Sequence, residues 1–350
     1  MKEEFKGFYA IKENDFQYLW DHAVFVFDTN VLLNLYRYQE STTEQLLDVI
    51  EQLNDRVWIP YHVALEYQRN RLKVIADQNI KFSEVRKIVN KNIASLKNEL
   101  DTLNLKKRHS TIDPESFIYD VTTAERKFIE ELDNLEKEHY SVISGDKIRD
   151  KLDAILAGRI GPMPTNQKVI DKLEKEADER FKNKIPPGYM DDDKKNSVEP
   201  TFSYSNLIYQ RKFSDYLVWS QLIAFATDSK PSCLIFVTDD NKEDWWLKIK
   251  QNGEKTISPR PELISEITQL TSVERFHMYS SESFLQYANK LLSAGVSNEA
   301  IEEVRYVART RNREIDRDRM SFINNTSYSA EKAVYDWLRM VYGENHLTQL

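Results

Sequence analysis

Two apolar runs in this chain end in acids. Val24-Phe25-Val26-Phe27 stops at Asp28-Thr29-Asn30, and Leu234-Ile235-Phe236-Val237 stops at Thr238-Asp239-Asp240-Asn241. A continuous run of Val, Ile and Phe reads as a strand buried on both faces. Residues just past the carboxyl end of such a strand sit where open α/β sheets place their ligands. If the two strands are neighbours, Asp28 meets Asp240, or Asp239 if that side chain points inward instead. Glu66 is the third acid, early on the helix after a short second strand. Asp215 is the fourth, on the helix before the Leu234 run. Carboxylates gathered in one crevice repel strongly at low dielectric. Such clusters persist when divalent cations neutralise them. Oxygen-only donors suit Mg²⁺ or Mn²⁺ rather than zinc. Two such ions about 4 Å apart activate water and stabilise the leaving oxygen in phosphodiester cleavage.

Each acid also has a plainer role open to it. Asp28 can be a strand-end turn residue, Asp240 a helix N-cap, and Glu66 a solvated helix residue. Asp191, Asp192 and Asp193 offer substitutes for Asp215, although that acidic run with Lys194 and Lys195 reads as a solvated loop. His62 precedes Glu66 by four residues and shares its helix face. It either touches substrate or packs. The six histidines are scattered and make no zinc pattern.

Elements that could carry these acids follow in order. A lead-in helix over 13–20 precedes the first strand at 23–27. A helix begins near Leu32, and a second runs from Thr42 or Thr43 to Leu53. Val57-Trp58-Ile59 is a short strand, and Pro60 suits the first position of a new helix. That βαβ unit favours a parallel sheet. From Leu72 to Leu103, eight of ten positions spaced by threes and fours are apolar, interrupted by Asn79 and Arg86. This near-heptad helix pairs with another over 123–139 as an arm folding back on itself. Helices are expected at 144–156 and 168–181, and a loop at 184–193, where Pro186-Pro187-Gly188 breaks regular structure. A helix is expected over 205–227. Trp245, Trp246 and Ile249 are placed on another helix, and a third follows Pro259. Phe276 to Tyr279 reads as the last strand, with helices at 283–292 and 329–342. Six arginines lie between 305 and 319, interspersed with Glu314, Asp316 and Asp318. That segment reads as a salt-bridged helix or a binding surface.

Composition narrows the class. At 350 residues with 41% hydrophobic content, the chain can build a large core. A net charge of −8 argues against a globally basic nucleic-acid coat, so such contacts must be local. One cysteine, Cys233, makes neither a disulfide framework nor a cysteine-based zinc site. No apolar stretch approaches the ~20 residues that span a bilayer, and Met1 to Lys12 lacks a signal-peptide core. A cytoplasmic location and no membrane partner are expected.

Phe27-Asp28-Thr29-Asn30-Val31-Leu32-Leu33 resembles the opening motif of PIN-domain nucleases, and Thr238-Asp239-Asp240 resembles their closing Thr-x-Asp. Glu66 and Asp215 fall where that family keeps its middle acids. Several segments resemble the PIN-like bacterial subfamily with a long helical insertion. They are Pro60 to Tyr67, Lys184 to Tyr189, Val237 to Trp246, Pro259 to Ile264 and Tyr279 to Leu285. The resemblance covers roughly 10–290 and leaves out the tail after 295.

It implies an α/β, three-layer PIN-like fold with a central parallel sheet. By position it divides the chain into 1–67 and 184–294 as the two parts of the PIN-like domain, 68–183 as the arm, and 295–350 as a helical extension. It implies metal-dependent hydrolysis of RNA or DNA with Mg²⁺ or Mn²⁺, in a bacterial toxin or phage-defence setting. Carried over by position, Asp28, Glu66, Asp215 and Asp240 hold the metal, with Asp239 a close second for the last role. Thr29, Asn30 and Thr238 bond a phosphate or water at the metal. By their nearness to these acids in the sequence, Arg37, Arg69, Arg71, Lys182 and Lys184 are candidate nucleic-acid contacts, and His62 is a candidate substrate contact or a packing residue. The arm or tail is left as the place for a protein partner or a homodimer.

Two other readings compete, and a third is compatible with the nuclease reading. A haloacid-dehalogenase-type phosphatase needs a second Asp two positions after the first, and that position is Asn30. A silent scaffold would keep the acids as relics. A nuclease docked in a larger assembly would use the arm or tail.

Overall fold

The computed structural model describes residues 1–350 except 2–3, 10, 106–110, 140–144, 198, 315–316 and 318–350. The expected helix at 329–342 lies outside the described residues.

Four parallel strands form the central sheet: β1 (Ala23–Phe27), β2 (Val57–Trp58), β5 (Cys233–Val237) and β8 (Arg275–Tyr279), in the order β2-β1-β5-β8. All five residues of β5 are buried, as are four of five in β1, which is why both read as uninterrupted apolar runs. Register pairs Phe27 with Val237 and Val237 with Tyr279. The backbone N–H of Asp28 donates to Val237 O at 2.9 Å, and that of Thr238 to Tyr279 O at 2.9 Å. Asp28, Thr238 and Ser280 therefore leave the sheet side by side at its carboxyl edge.

Helices cover both faces, making three layers. Phe25 and Phe27 share one face by strand alternation. They meet Trp20 from α1 (Glu13–His22) and Phe284 from α10 (Ser281–Leu292), whose rings stack 5.6 Å apart. On the opposite face Phe236 stacks against Trp245 at 5.2 Å. Phe276 meets Trp219 of α8 (Ser214–Ser229) edge-on at 5.6 Å. Deleting one of these buried rings costs ~3–5 kcal/mol.

The first helices after β1 start earlier than their apolar residues suggest. α2 spans Thr29–Asn34 and α3 spans Glu40–Gln52, with Gln39 as its N-cap. Thr43 is inside α3, and its hydroxyl donates to Leu35 O at 2.8 Å.

The arm consists of α4 (Tyr61–Thr102) and α5 (Glu115–Glu138). At 42 residues α4 is about 63 Å long. Arg86 pairs with Asp133 at 2.5 Å and Glu136 at 2.6 Å, and Lys97 with Glu125 at 3.6 Å, so the helices run antiparallel. The break in the apolar seam at Arg86 is thus an interhelical ion pair. α6 (Lys147–Ile155) and α7 (Gln167–Lys182) return the chain toward the sheet.

Three expectations are corrected. The loop at 184–193 gives way after Gly188 to a 3₁₀ helix, Tyr189–Asn196. Residues 201–210 are a β-hairpin of β3 (Thr201–Tyr204) and β4 (Leu207–Gln210), not the first turns of a helix. Ser205 and Asn206 both take positive φ, 52° and 62°, as a type I′ hairpin turn requires. Trp246 and Ile249 lie on β6 (Trp246–Lys250), not a helix, paired antiparallel with β7 (Glu254–Pro259). Asn252-Gly253, with φ of 51° and 110°, makes that turn. Beyond β7 come α9 (Pro261–Leu270) and, past α10, a helix over 298–314, here α11.

Candidate active site

Asp28 caps α2. Its Oδ1 accepts from Thr29 N at 2.7 Å, which is what stops the strand and starts the helix. Its Oδ2 accepts from Asn30 Nδ2 at 2.5 Å and from the Thr238 hydroxyl at 2.7 Å. Capping and site-building are therefore done by the same carboxylate. Asn30 also donates to Thr238 Oγ1 at 3.1 Å and accepts from Asp239 N at 2.9 Å, tying the ends of β1 and β5 together. Burial pushes the Asp28 carboxyl up to about 7, with Asp240 and Glu66 adding to the rise and the Thr238 bond opposing it.

Glu66 lies early on α4, where its Oε2 accepts from the Thr29 hydroxyl at 3.2 Å. Thr29 thus touches both Asp28 and Glu66. His62 is one turn earlier, fully buried, with Nε2 3.7 Å from Glu66 Oε1 and 3.1 Å from the Ser214 hydroxyl. Burial lowers its affinity for a proton, against the pull of Glu66. The imidazole packs beneath Glu66 on the anticipated helix face.

A second group of acids surrounds Lys242. Its ammonium is 2.7 Å from Asp240 Oδ2, 2.8 Å from Asp191 Oδ1 and 3.2 Å from Asp215 Oδ2. Burial alone would lower the ammonium's hold on its proton. Asp215, Asp240 and Asp191 instead hold it well above the ordinary lysine range. Burial raises the Asp215 carboxyl, whereas Lys194 and Lys242 hold Asp191 low despite its burial. Asp240 belongs to both groups. Its N–H donates to Thr238 Oγ1 at 3.0 Å, the hydroxyl that reaches Asp28.

Asp191 reaches this point because of the loop before it. Gly188 has φ of 97°, and a Cβ there would come within 2.9 Å of the Phe181 ring and 3.2 Å of Asp215 Cβ. Asp244, fully buried, accepts from Gly188 N and Met190 N, each at 3.0 Å, and pins the loop beside Asp215. Lys242 and Asp244 escape a reading of the sequence as site residues, and Asp191, read there as a substitute for Asp215 or a solvated loop residue, stands beside Asp215 on Lys242 rather than in its place. Their only local signals are the Pro186-Pro187-Gly188 turn and their place in the segment ending Trp245-Trp246.

The two aspartates after Thr238 have different partners. Asp239 is buried, and its carboxylate accepts from Ser281 N at 2.9 Å, Ser281 Oγ at 2.8 Å and Asn34 Nδ2 at 3.0 Å. It ties β5 to α2 and α10. Arg37 donates to Asn34 Oδ1 at 3.0 Å; burial, with Arg311 close by, lowers its guanidinium to about 10. Arg69 stacks over Phe202 of the β3–β4 hairpin at 4.1 Å. Arg71 pairs with Asp146 at 2.8 Å, Lys182 pairs with Asp178 and Glu179, and Lys184 is exposed in the turn after α7. These last four are not brought against Asp28.

A cleft of about 680 Å³ opens beside Asp240. Thr238 and Ser280 line its floor, and Arg305, Arg309 and Asn312 of α11 its far wall. Arg305 pairs with Glu282 at 2.8 Å, and Asn312 donates to Asp239 O at 3.0 Å, which fixes α11 over the end of the sheet.

The donor chemistry of Asp28, Glu66 and Asp240 is oxygen-only and fits a hard divalent ion. Asp28, pushed up by burial and by neighbouring acids against its hydrogen bonds, has no lysine or arginine paired with it among the described residues. Among the described residues no three Asp, Glu, His or Cys side chains are drawn together as around a metal ion. Asp191, Asp215 and Asp240 are gathered instead on the Lys242 ammonium.

Among the described residues, no helix is long and apolar enough to cross a membrane. Comparison with curated proteins and with solved structures gave no match. A family model described as a PIN like domain matches residues 24–263, from β1 through the start of α9, and so takes in every acid of the site. With that match and its central parallel sheet between helices, the chain belongs to the PIN-like domain family, a nuclease-type fold.

Proposed function

We propose that the chain is a metal-dependent nuclease that hydrolyses phosphodiester bonds at the carboxyl edge of β1 and β5. The observation that carries this reading is the carboxylate of Asp28. It is held by Thr29, Asn30 and Thr238, has its pKa raised by burial, and is linked to Glu66 through the backbone N–H and hydroxyl of Thr29 and to the Asp240 backbone N–H through the Thr238 hydroxyl. Asp28, Glu66 and Asp240 would hold Mg²⁺ or Mn²⁺. When bound, the ion neutralises these acids and activates water for attack at phosphorus.

The remaining work falls to the chain. Asn30 and Thr238 aim Asp28 Oδ2, and Thr29 sets the spacing between Asp28 and Glu66. His62, neutral and buried, fixes the helix face from which Glu66 projects. The cleft beside Asp240, which reaches Thr238 but is not lined by Asp28 or Glu66, would take the nucleic-acid strand, with Arg309 meeting its phosphates without reading bases. Toxin and phage-defence settings both suit such an activity.

A second reading, a binding scaffold without cleavage, draws on Lys242, which already neutralises part of the acid cluster. Incubating labelled RNA and DNA with Mn²⁺, with EDTA, and with an Asp28→Asn variant separates the two. A nuclease cuts in the first case alone, and a scaffold cuts in none.

A further inference from the structure

We propose that Lys242 is a built-in cation of this site: its ammonium occupies the cation position among Asp191, Asp215 and Asp240, and leaves one divalent ion to be held by Asp28 and Glu66 with Asp240 at the boundary between the two. The inference rests on the metal-dependent reading above and sets its stoichiometry.

The geometry is that of a coordinated ion rather than a surface salt bridge. The three acids come from three separate segments: the 3₁₀ helix at Asp191, the first turn of α8 at Asp215, and the end of β5 at Asp240. Each approaches the same nitrogen, at 2.8, 3.2 and 2.7 Å. An ammonium has three N–H donors and no acceptor. One N–H donates to Asp215 Oδ2, and the carboxylates of Asp191 and Asp240 lie at ion-pair distance on the same nitrogen. The side chains are 6–21% exposed, so the group lies in the protein surface layer, not free in solvent. Backbone bonds hold the arrangement as well. Lys242 N donates to Asp240 Oδ1 at 2.9 Å, and Trp246 Nε1 donates to Asp240 O at 2.6 Å.

Charge is divided unequally across Thr238. On one side Asp191, Asp215 and Asp240 face Lys242, and Lys194 also pairs with Asp191. On the other side are Asp28 and Glu66. Among the described residues neither has a lysine or arginine at ion-pair distance, and only His62 lies near Glu66. Two formal negative charges without a cation match one divalent ion. A second ion beside Asp215 would have to expel the ammonium and leave the largely covered Lys242 without its partners, which disfavours that ion.

A lysine also differs from a metal in what it contributes. Its fixed charge stabilises an oxygen that gains negative charge, but an ammonium has no vacant position to bind and activate water. In the proposed site the water-activating function therefore belongs to the Asp28 side.

The test counts bound Mn²⁺ by calorimetry and by electron paramagnetic resonance in the absence of nucleic acid. The wild-type chain should give mononuclear Mn²⁺ spectra even with several equivalents present. Lys242→Met should bind one ion more than wild type and show the exchange-coupled spectrum of a close pair. Lys242→Arg, which keeps the charge, should keep the wild-type count. An exchange-coupled pair in the wild-type chain overturns the proposal, and that arm needs no variant to fold. So does an unchanged count in a Lys242→Met protein whose near-ultraviolet circular dichroism matches wild type. Because no arm reads cleavage, a count that rises by one in a chain that does not cut leaves the role of Lys242 standing and removes the nuclease reading. Cutting with an unchanged count does the reverse.

Discussion

The hydroxyl of Thr238 donates to Asp28 Oδ2 at 2.7 Å, joining two residues 210 positions apart in the chain. The Thr238 hydroxyl oxygen in turn accepts from the backbone N–H of Asp240 at 3.0 Å. One hydroxyl therefore sets the separation of the two acids that end β1 and β5. Thr238→Val keeps the shape and removes the bond. Losing such an orienting partner should lower Mn²⁺ affinity about 10–100-fold. Calorimetric titration of the two proteins measures this, and equal affinities would show that Asp28 needs no such support.

Asp28 holds its proton up to about pH 7, because burial and the neighbouring acids disfavour its charge. A cation must displace that proton to bind. Mn²⁺ affinity should therefore rise about tenfold per pH unit between pH 5 and 7 and level off above. In Asp28→Asn this dependence should flatten. A wild-type affinity independent of pH over that range would place the titrating group elsewhere.

His277 gives a separate pH effect, on stability. It sits between Phe16 and Tyr279, and burial lowers its imidazole to about 4. The unfolded chain takes up this proton near pH 6.5, and the folded chain does so only near pH 4. The unfolded state therefore binds more protons in that window. Stability is full above about pH 6.5 and is lost as pH falls toward 4, by about 1–3 kcal/mol after allowing for partial exposure. Urea unfolding of wild type and His277→Phe at pH 7 and pH 4.5 isolates the effect. Parallel losses in both proteins would mean that other groups carry it.

Arg309 on α11 lines the cleft beside Asp240 and is exposed. As a phosphate contact it should contribute to affinity for every sequence alike. Arg309→Gln should weaken nucleic-acid binding and reduce the slope of log affinity against log salt by about one. Fluorescence anisotropy at several salt concentrations reads both. An unchanged slope would take α11 out of the binding surface.

Much of this arrangement is legible in the sequence for physical reasons. β1 and β5 are buried on both faces, so they read as unbroken apolar runs, and the abrupt change to Asp28 and Thr238 marks the sheet edge. The long α4 is visible because its seam repeats, and Arg86 breaks that seam to pair with Asp133 and Glu136. The two hairpins are lost when apolar residues are read by content alone. Leu207 and Tyr209 point inward while Ile208 is exposed, a period of two. Asn252-Gly253 is the turn signal that Trp245-Trp246 obscures. The site is legible as far as Asp28, Glu66, Asp215 and Asp240 are individually visible. That Lys242 stands among three acids depends on where the Pro186-Pro187-Gly188 loop delivers Asp191, and no local pattern encodes that distance.

The most direct test is cleavage of labelled single-stranded RNA and DNA by wild type and Asp28→Asn, each with Mn²⁺ and with EDTA. The nuclease reading predicts cutting of at least one substrate by wild type with Mn²⁺, and none in the other three conditions. Cutting that survives EDTA, or that Asp28→Asn retains at the wild-type rate, would contradict it.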